Sequence, residues 1–286
     1  MGIMKFAGFA LMLTALPGAV LAQERVSFPS ADGKTALSAY VFMPAKRGAA
    51  MPAVVMMHGR GGVYSKAAKG RYDASTISQR HRAWGTLWAA NGYAALLVDD
   101  FGPRGYPGGF PRFSYDTRPD AVNEVTVRPL DAYGALTWLR TRGDIAADRI
   151  GLQGWSNGGS AALAAMAAGS GLAPATSLKG FSAALVFYPA CRLRGRFDDG
   201  YRPYAPVRVF HGTADEETSY RRCRSLVERS QKAGGDIAIT LYPGAAHGFD
   251  DPGRARQSNP ANRKAKDDAT ARALRFFAER LAAPKP

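Results

Sequence analysis

Apolar positions along the chain follow two periods. Pro52-Ala53-Val54-Val55-Met56-Met57 and Tyr93 to Val98 are continuous apolar runs, the mark of strands buried on both faces. Arg149-Ile150-Gly151-Leu152-Gln153, Phe181 to Tyr188, Pro206 to Phe210 and Ile237 to Tyr242 read the same way. Arg25 to Pro29 and Ala36 to Met43 are shorter and alternate apolar with polar, and the turn signal Ala31-Asp32-Gly33-Lys34 joins them, which predicts an antiparallel hairpin at a sheet edge. Between the strands the period lengthens to that of a helix. Ile77 to Ala90 closes on Asn91-Gly92, a helix-ending pair. Pro129 to Arg142 repeats through Leu130, Tyr133, Leu136, Trp138 and Leu139, Ser160 to Ala168 is alanine-rich, and Asp267 to Ala282 carries Leu274, Phe277 and Leu281 on one face. Strands alternating with helices predict an α/β chain: a mostly parallel sheet of about eight strands with helices on both faces. In such a sheet the functional loops gather at the carboxyl ends of the strands.

One of those ends carries chemistry. Gly154-Trp155-Ser156-Asn157-Gly158-Gly159 stands between the Ile150 strand and an alanine-rich helix and reads G-x-S-x-G. A serine on so sharp a strand-to-helix turn is held in a strained conformation with its hydroxyl exposed.

Composition adds an address. The 286 residues are 46% hydrophobic and 21% charged, enough for a single large α/β domain over 23–286. Residues 1–22 differ: Lys5 is their one charge, Phe6 to Leu16 is apolar, and Val20-Leu21-Ala22 ends in small residues. This is the form of a signal peptide cleaved after Ala22. The apolar stretch is too short to span a bilayer comfortably, so the expectation is a secreted or periplasmic protein with no stable membrane insertion after cleavage. Cys191 and Cys223 are the two cysteines, and an even pair in an oxidising compartment predicts a disulfide. So few cysteines and only four histidines leave a metal site improbable, and no metal or organic cofactor is expected. The net charge is +15, or +14 without Lys5. Its arginines are scattered, with no dense basic run or nucleic-acid motif, so nucleic acid is not the expected partner. Arginines near the site remain candidates to read a substrate carboxylate.

A serine hydroxyl needs a base to take its proton, and the base needs an acid to orient it. His58 and His211 each begin a His-Gly pair directly at a strand end, and His81 falls in a predicted helix. His247, in Gly244-Ala245-Ala246-His247-Gly248-Phe249 after the last strand, is the base by elimination. For this architecture the acid lies between serine and histidine in chain order. Phe210-His211-Gly212-Thr213-Ala214-Asp215 places Asp215 just past a buried strand. The oxyanion of an acyl transfer needs prearranged N–H donors. The N–H of Asn157 is one, and Arg60 or Gly61 in His58-Gly59-Arg60-Gly61-Gly62 supplies the other.

The His58-Gly59-x-Gly61-Gly62 loop, Val98-Asp99-Asp100-Phe101-Gly102-Pro103-Arg104-Gly105, the elbow, His211-Gly212-x-x-Asp215 and His247-Gly248-Phe249 together resemble the dienelactone hydrolase family of α/β-hydrolases, over roughly residues 24–282. The resemblance implies an enzyme that cleaves ester or lactone bonds in small molecules. The well-known members carry cysteine at the elbow where this chain has Ser156, which points to a broader serine esterase. The family often holds carboxylated lactones through arginines, and Arg60 and Arg104 are the counterparts here. Trp155 and His58 are further candidate substrate contacts. Two other readings stay open: a serine peptidase of the prolyl oligopeptidase type, and a non-catalytic binding protein on a hydrolase scaffold.

Overall fold

The computed structural model describes residues 23–46, 50–171 and 180–283. The segment read above as a signal peptide, 1–22, lies outside the described residues. The sheet has eight strands: β1 (Glu24–Pro29), β2 (Ala36–Phe42), β3 (Met51–Met57), β4 (Ala94–Asp99), β5 (Ile145–Trp155), β6 (Ala183–Phe187), β7 (Val207–Gly212) and β8 (Ile237–Tyr242). Their order across the sheet is β1-β2-β4-β3-β5-β6-β7-β8. β1–β2 and β2–β4 are antiparallel, and every later pairing is parallel. A mostly parallel sheet of eight strands is what the alternating pattern predicts, and its order is the α/β-hydrolase arrangement that the resemblance implies.

Among the described residues the α-helices are α1 (Gln79–Ala90), α2 (Arg128–Arg140), α3 (Asn157–Met166), α4 (Tyr220–Lys232), the single turn α5 (Arg254–Gln257) and α6 (Pro260–Arg280). The central strands divide their side chains between two cores. Ala53, Val55 and Met57 of β3 join Tyr133, Leu136 and Leu139 of α2, Leu163 of α3 and Leu226 of α4. Val54 and Met56 join Trp84 and Trp88 of α1 and Ala265, Ala269, Phe276 and Phe277 of α6. That alternation explains the unbroken apolar runs, since both faces of the strand are covered.

Helix α4 escapes the pattern reading. Its apolar side is thin: Cys223, Leu226, Val227 and Ser230 are its buried residues, and arginines and glutamate fill much of the rest. Cys223 is joined to Cys191 by a disulfide, as the even cysteine count predicts. The bond ties α4 to the loop after β6 across 32 residues. In the chain-entropy model such a closure contributes about 3–4 kcal/mol.

The site is positioned by the strand order. After β4 the chain crosses β3 to continue at β5, so the direction of winding reverses between β3 and β5, and Met57 lies opposite Gly154 at their carboxyl ends. A crevice opens at such a reversal. Glycine is required where the elements cross. A Cβ on Gly154 would meet Gly158 O at 2.2 Å, and one on Gly158 would meet Met57 O at 2.2 Å.

Candidate active site

Ser156 follows β5 directly and precedes α3. Its backbone sits at φ 52°, ψ −117°, a conformation that costs a non-glycine residue about 1–3 kcal/mol and that the surroundings must enforce. The enforcing contacts are local: Ser156 N–H donates to Phe187 O at 2.9 Å, and Ser160 N–H returns to Ser156 O at 2.9 Å.

The loops after β7 and β8 bring the other two predicted residues to it. His247 Nε2 lies 3.0 Å from Ser156 Oγ, and His247 Nδ1 lies 2.9 Å and 3.1 Å from the two oxygens of Asp215. The Asp215 side chain is buried and accepts further bonds from the N–H groups of Glu217 (2.8 Å) and Thr218 (2.7 Å) and from Thr218 Oγ1 (2.9 Å). Burial alone would raise its pKa. The hydrogen bond and charge of His247 and the Thr218 N–H outweigh that and hold it below the ordinary carboxylate value. Tyr188, at φ 37°, lays its ring edge-on to the His247 ring with centroids 4.6 Å apart.

Two adjacent glutamates complete the surroundings. Glu216 accepts the His247 N–H at 2.9 Å. Glu217 Oε2 stands 3.8 Å from His247 Nε2. It is gripped by Arg60 through two bonds of 2.8 and 3.0 Å, and by Arg112 at 2.7 Å. Burial opposes ionisation of Glu217, but Arg60, His247 and Arg112 prevail and pull its pKa down to about 2. The run Asp215-Glu216-Glu217 was visible as an acidic cluster at a strand end. Nothing in it said which carboxylate faces which side of the histidine.

The residues named above as oxyanion donors, Asn157, Arg60 and Gly61, line the cavities at Ser156. Gly59 packs against the elbow so closely that a Cβ there would lie 3.4 Å from Ser156 Cβ. The N–H groups of Arg60, Gly61 and Asn157 have no protein acceptor among the described residues. Arg60 and Asn157 share a cavity wall with Ser156, whereas Gly61 lines the other side.

Three predicted substrate contacts need correction. The Trp155 side chain is fully buried among Trp84, His81 and Phe187, and its Nε1–H donates to Asp250 at 2.9 Å. It precedes Ser156 on a strand, so its side chain leaves on the opposite face. His58 is fully buried too, with Nε2 2.6 Å from Asp100 Oδ1 and its ring against Phe101. Arg104 points away from the site into a two-bond pair with Asp131, at 2.8 and 2.9 Å. Arg60 does reach the site, but its guanidinium is committed to Glu217.

Two cavities meet at Ser156. The larger, about 690 Å³, runs past Asn157 and Thr218 and is walled by Arg118, Arg192, Arg194 and Arg222. The smaller, about 450 Å³, runs past His247, Gly62 and Arg80. The Arg60–Glu217 pair borders both. Among the described residues no group of His, Cys, Asp and Glu is placed to hold a metal ion, and no helix is long and apolar enough to cross a membrane.

The model of the dienelactone hydrolase family matches residues 37–281. The chain belongs to the dienelactone hydrolase family. With serine at the elbow it is a serine ester hydrolase of that family. Among solved structures, esterase 2 of the planctomycete Thermogutta terrifontis with propionate bound is 22% identical, with a TM-score of 0.63 over 94% of this chain and 98% of that one. The native form gives 23% and 0.63 over 94% and 96%, and the form phosphorylated by paraoxon 22% and 0.62 over 93% and 97%. At these identities the likeness speaks for the fold. No curated protein is similar enough to count as a relative.

Proposed function

We propose that this family member cleaves carboxylic esters or lactones by a Ser156–His247–Asp215 triad through an acyl-enzyme. The observation that carries the reading is the unbroken chain of short contacts: Ser156 Oγ to His247 Nε2 at 3.0 Å, and His247 Nδ1 to Asp215 at 2.9 Å. His247 accepts the serine proton at Nε2 as Oγ bonds to the carbonyl carbon. Asp215 holds the other nitrogen as the donor and offsets the charge that forms. The N–H groups of Asn157 and Arg60 receive the carbonyl oxygen as it becomes an oxyanion. Collapse breaks the bond to the leaving oxygen, which takes the proton from His247. Water then enters, gives its proton to His247, and releases the acid by the same steps in reverse.

The leaving oxygen must lie beside His247, which assigns the alcohol to the smaller cavity and the acyl group to the larger. The charges of the two cavities support an anionic acyl group. Arginines of the smaller cavity are already matched: Arg80 with Asp251, Arg112 with Glu216 and Glu217, Arg256 with Glu216. In the larger, Arg118, Arg192 and Arg222 have no carboxylate partner among the described residues. Arg118 bonds the Ser114 hydroxyl and lies over the rings of Phe110 and Tyr115. Burial, and after it the charges of Arg128 and Arg60, pull its guanidinium down to about 10 against the opposing charge of Glu124. A bound carboxylate would relieve that. The disulfide supports the further reading that the protein works outside the cytosol, after removal of residues 1–22.

A fluorophosphonate probe tests the nucleophile. The expected product is one adduct per chain, found by peptide mass spectrometry on Ser156. Folded protein that takes no label would favour the non-catalytic scaffold. For the acyl group, Arg118→Gln should reduce the preference for a carboxylated ester over its neutral isostere by about tenfold or more, and salt should weaken that preference in the wild type. Equal kcat/KM for the two esters in the wild type would refute the anionic acyl group.

A further inference from the structure

Beneath the site runs a line of buried charge that the proposed chemistry does not use. Arg128, the first residue of α2, is fully buried. Its Nε and Nη2 donate to the two oxygens of Asp100 at 2.6 and 3.2 Å, and its guanidinium lies 4.7 Å from the centre of the Phe101 ring. The remaining donors go to the two segments that carry the oxyanion donors. Nη2 bonds the carbonyl of His58 at 2.8 Å, two residues before Arg60. Nη1 bonds the side-chain oxygen of Asn157 at 2.5 Å. Asn157 in turn donates from Nδ2 to the buried Glu124 at 3.2 Å, and Arg194 holds that carboxylate from the wall of the larger cavity.

The geometry points to Arg128 as a positioning residue for the oxyanion hole. One rigid, planar guanidinium fixes the spacing between the β3 loop and the start of α3, and so between the N–H of Arg60 and the N–H of Asn157. A lysine cannot do this, because it is a point donor on a flexible stem and cannot reach both Asp100 oxygens, the His58 carbonyl and the Asn157 side-chain oxygen from one rigid fork. Asp100 supplies the charge that lets the guanidinium be buried, and its other neighbour is the buried His58 ring, with Nε2 2.6 Å from Oδ1. The donors are therefore set before substrate arrives, which is the condition under which such dipoles lower a barrier. This role rests on the serine-hydrolase reading above.

Arg128→Lys and Asn157→Ala test it. The second variant keeps the Asn157-position N–H and removes only the side chain that Arg128 grips. Arg128→Lys should lower kcat on a chromogenic ester by about 10²–10³-fold, as loss of an oxyanion donor does, with KM changed little. Asn157→Ala should lose less, and the double variant should lose no more than Arg128→Lys alone. The decisive readout is a trifluoromethyl ketone, whose tetrahedral serine adduct carries the oxyanion. Its affinity should fall in step with kcat/KM, while the affinity for the carboxylic acid product stays within about threefold, because only the transition-state-like species uses the hole. Folded Arg128→Lys with wild-type ketone affinity, or with equal losses for ketone and product, would overturn the assignment. If Arg128→Lys does not fold, an unchanged kcat in Asn157→Ala overturns it and a kcat loss with unchanged KM supports it. A wild-type protein that forms no ketone adduct would overturn the triad reading and this inference with it.

Discussion

His247→Ala will lower kcat/KM on a short-chain ester by about 10⁴-fold or more, and adding Ser156→Ala to it will cost little further. The reason is that the two side chains act as one unit. Without a base 3.0 Å from Oγ, the serine keeps its proton and gains nothing from the strained turn that sets it at the meeting of the two cavities. Without Oγ, the imidazole has no proton to accept. The serine variant alone should therefore lose about as much as the double variant. Asp215→Asn should lose somewhat less, because the amide cannot hold Nδ1 as the donor but leaves the pair in place. Steady-state rates on one ester, with folding checked by near-UV circular dichroism, measure all four variants. Losses that multiplied across the two positions would mean that Ser156 and His247 act independently, against the proposed chain of contacts. Residual turnover in the double variant measures what the proposed oxyanion donors, the N–H groups of Asn157 and Arg60, do for an attacking water alone.

What could be read in advance follows a physical line. The strands show because both of their faces are covered, which leaves long apolar runs such as Pro52 to Met57. The proposed triad can be picked out because its members sit at strand ends in a set order, and order is a property of the chain. Side-chain direction is not. Trp155, His58 and Arg104 all stand beside the right strand ends, yet Trp155 and His58 turn into the core and Arg104 turns to Asp131. Helix α4 was missed because its buried side is only four residues wide. The line Asp100–Arg128–Asn157–Glu124 was missed for a different reason. An arginine opening a helix reads as a solvated charge, and only the winding of the chain brings Asp100, 28 residues earlier, to within 2.6 Å of it. The arginine cavity likewise depends on the irregular stretch between β4 and α2, where Arg118 is held by Ser114, Phe110 and Tyr115 of the same stretch and Tyr115 by Arg194 from the loop after β6, none of it set by a repeat.

The second large effect is expected at a residue that touches neither substrate nor nucleophile. Asp250→Ala should destabilise the fold by about 3–5 kcal/mol, the cost of leaving buried partners of a removed charge unpaired. Asp250 is buried, and its carboxylate accepts from Trp84 Nε1 at 2.8 Å, Trp155 Nε1 at 2.9 Å and Tyr188 Oη at 2.5 Å. Arg80 lies 3.4 Å away and has a second partner in Asp251 at 3.2 Å, so its charge survives the loss better than the three neutral donors do. Each of those donors is sealed from water, and an unsatisfied buried group costs about 1–3 kcal/mol. Two of them flank the chemistry: Trp155 precedes the nucleophile, and Tyr188 holds the edge of the His247 ring from a left-handed backbone position. Asp250→Ala should therefore lower kcat as well, through a loosened His247. Asp250→Asn separates the causes. It keeps one acceptor oxygen and removes the charge, so it should restore part of the stability while one of the indole or phenol donors remains unpaired. Urea midpoints for the wild type and both variants decide the matter. A midpoint for Asp250→Ala within error of the wild type would show that water reaches this carboxylate and that the buried cluster does not brace the site.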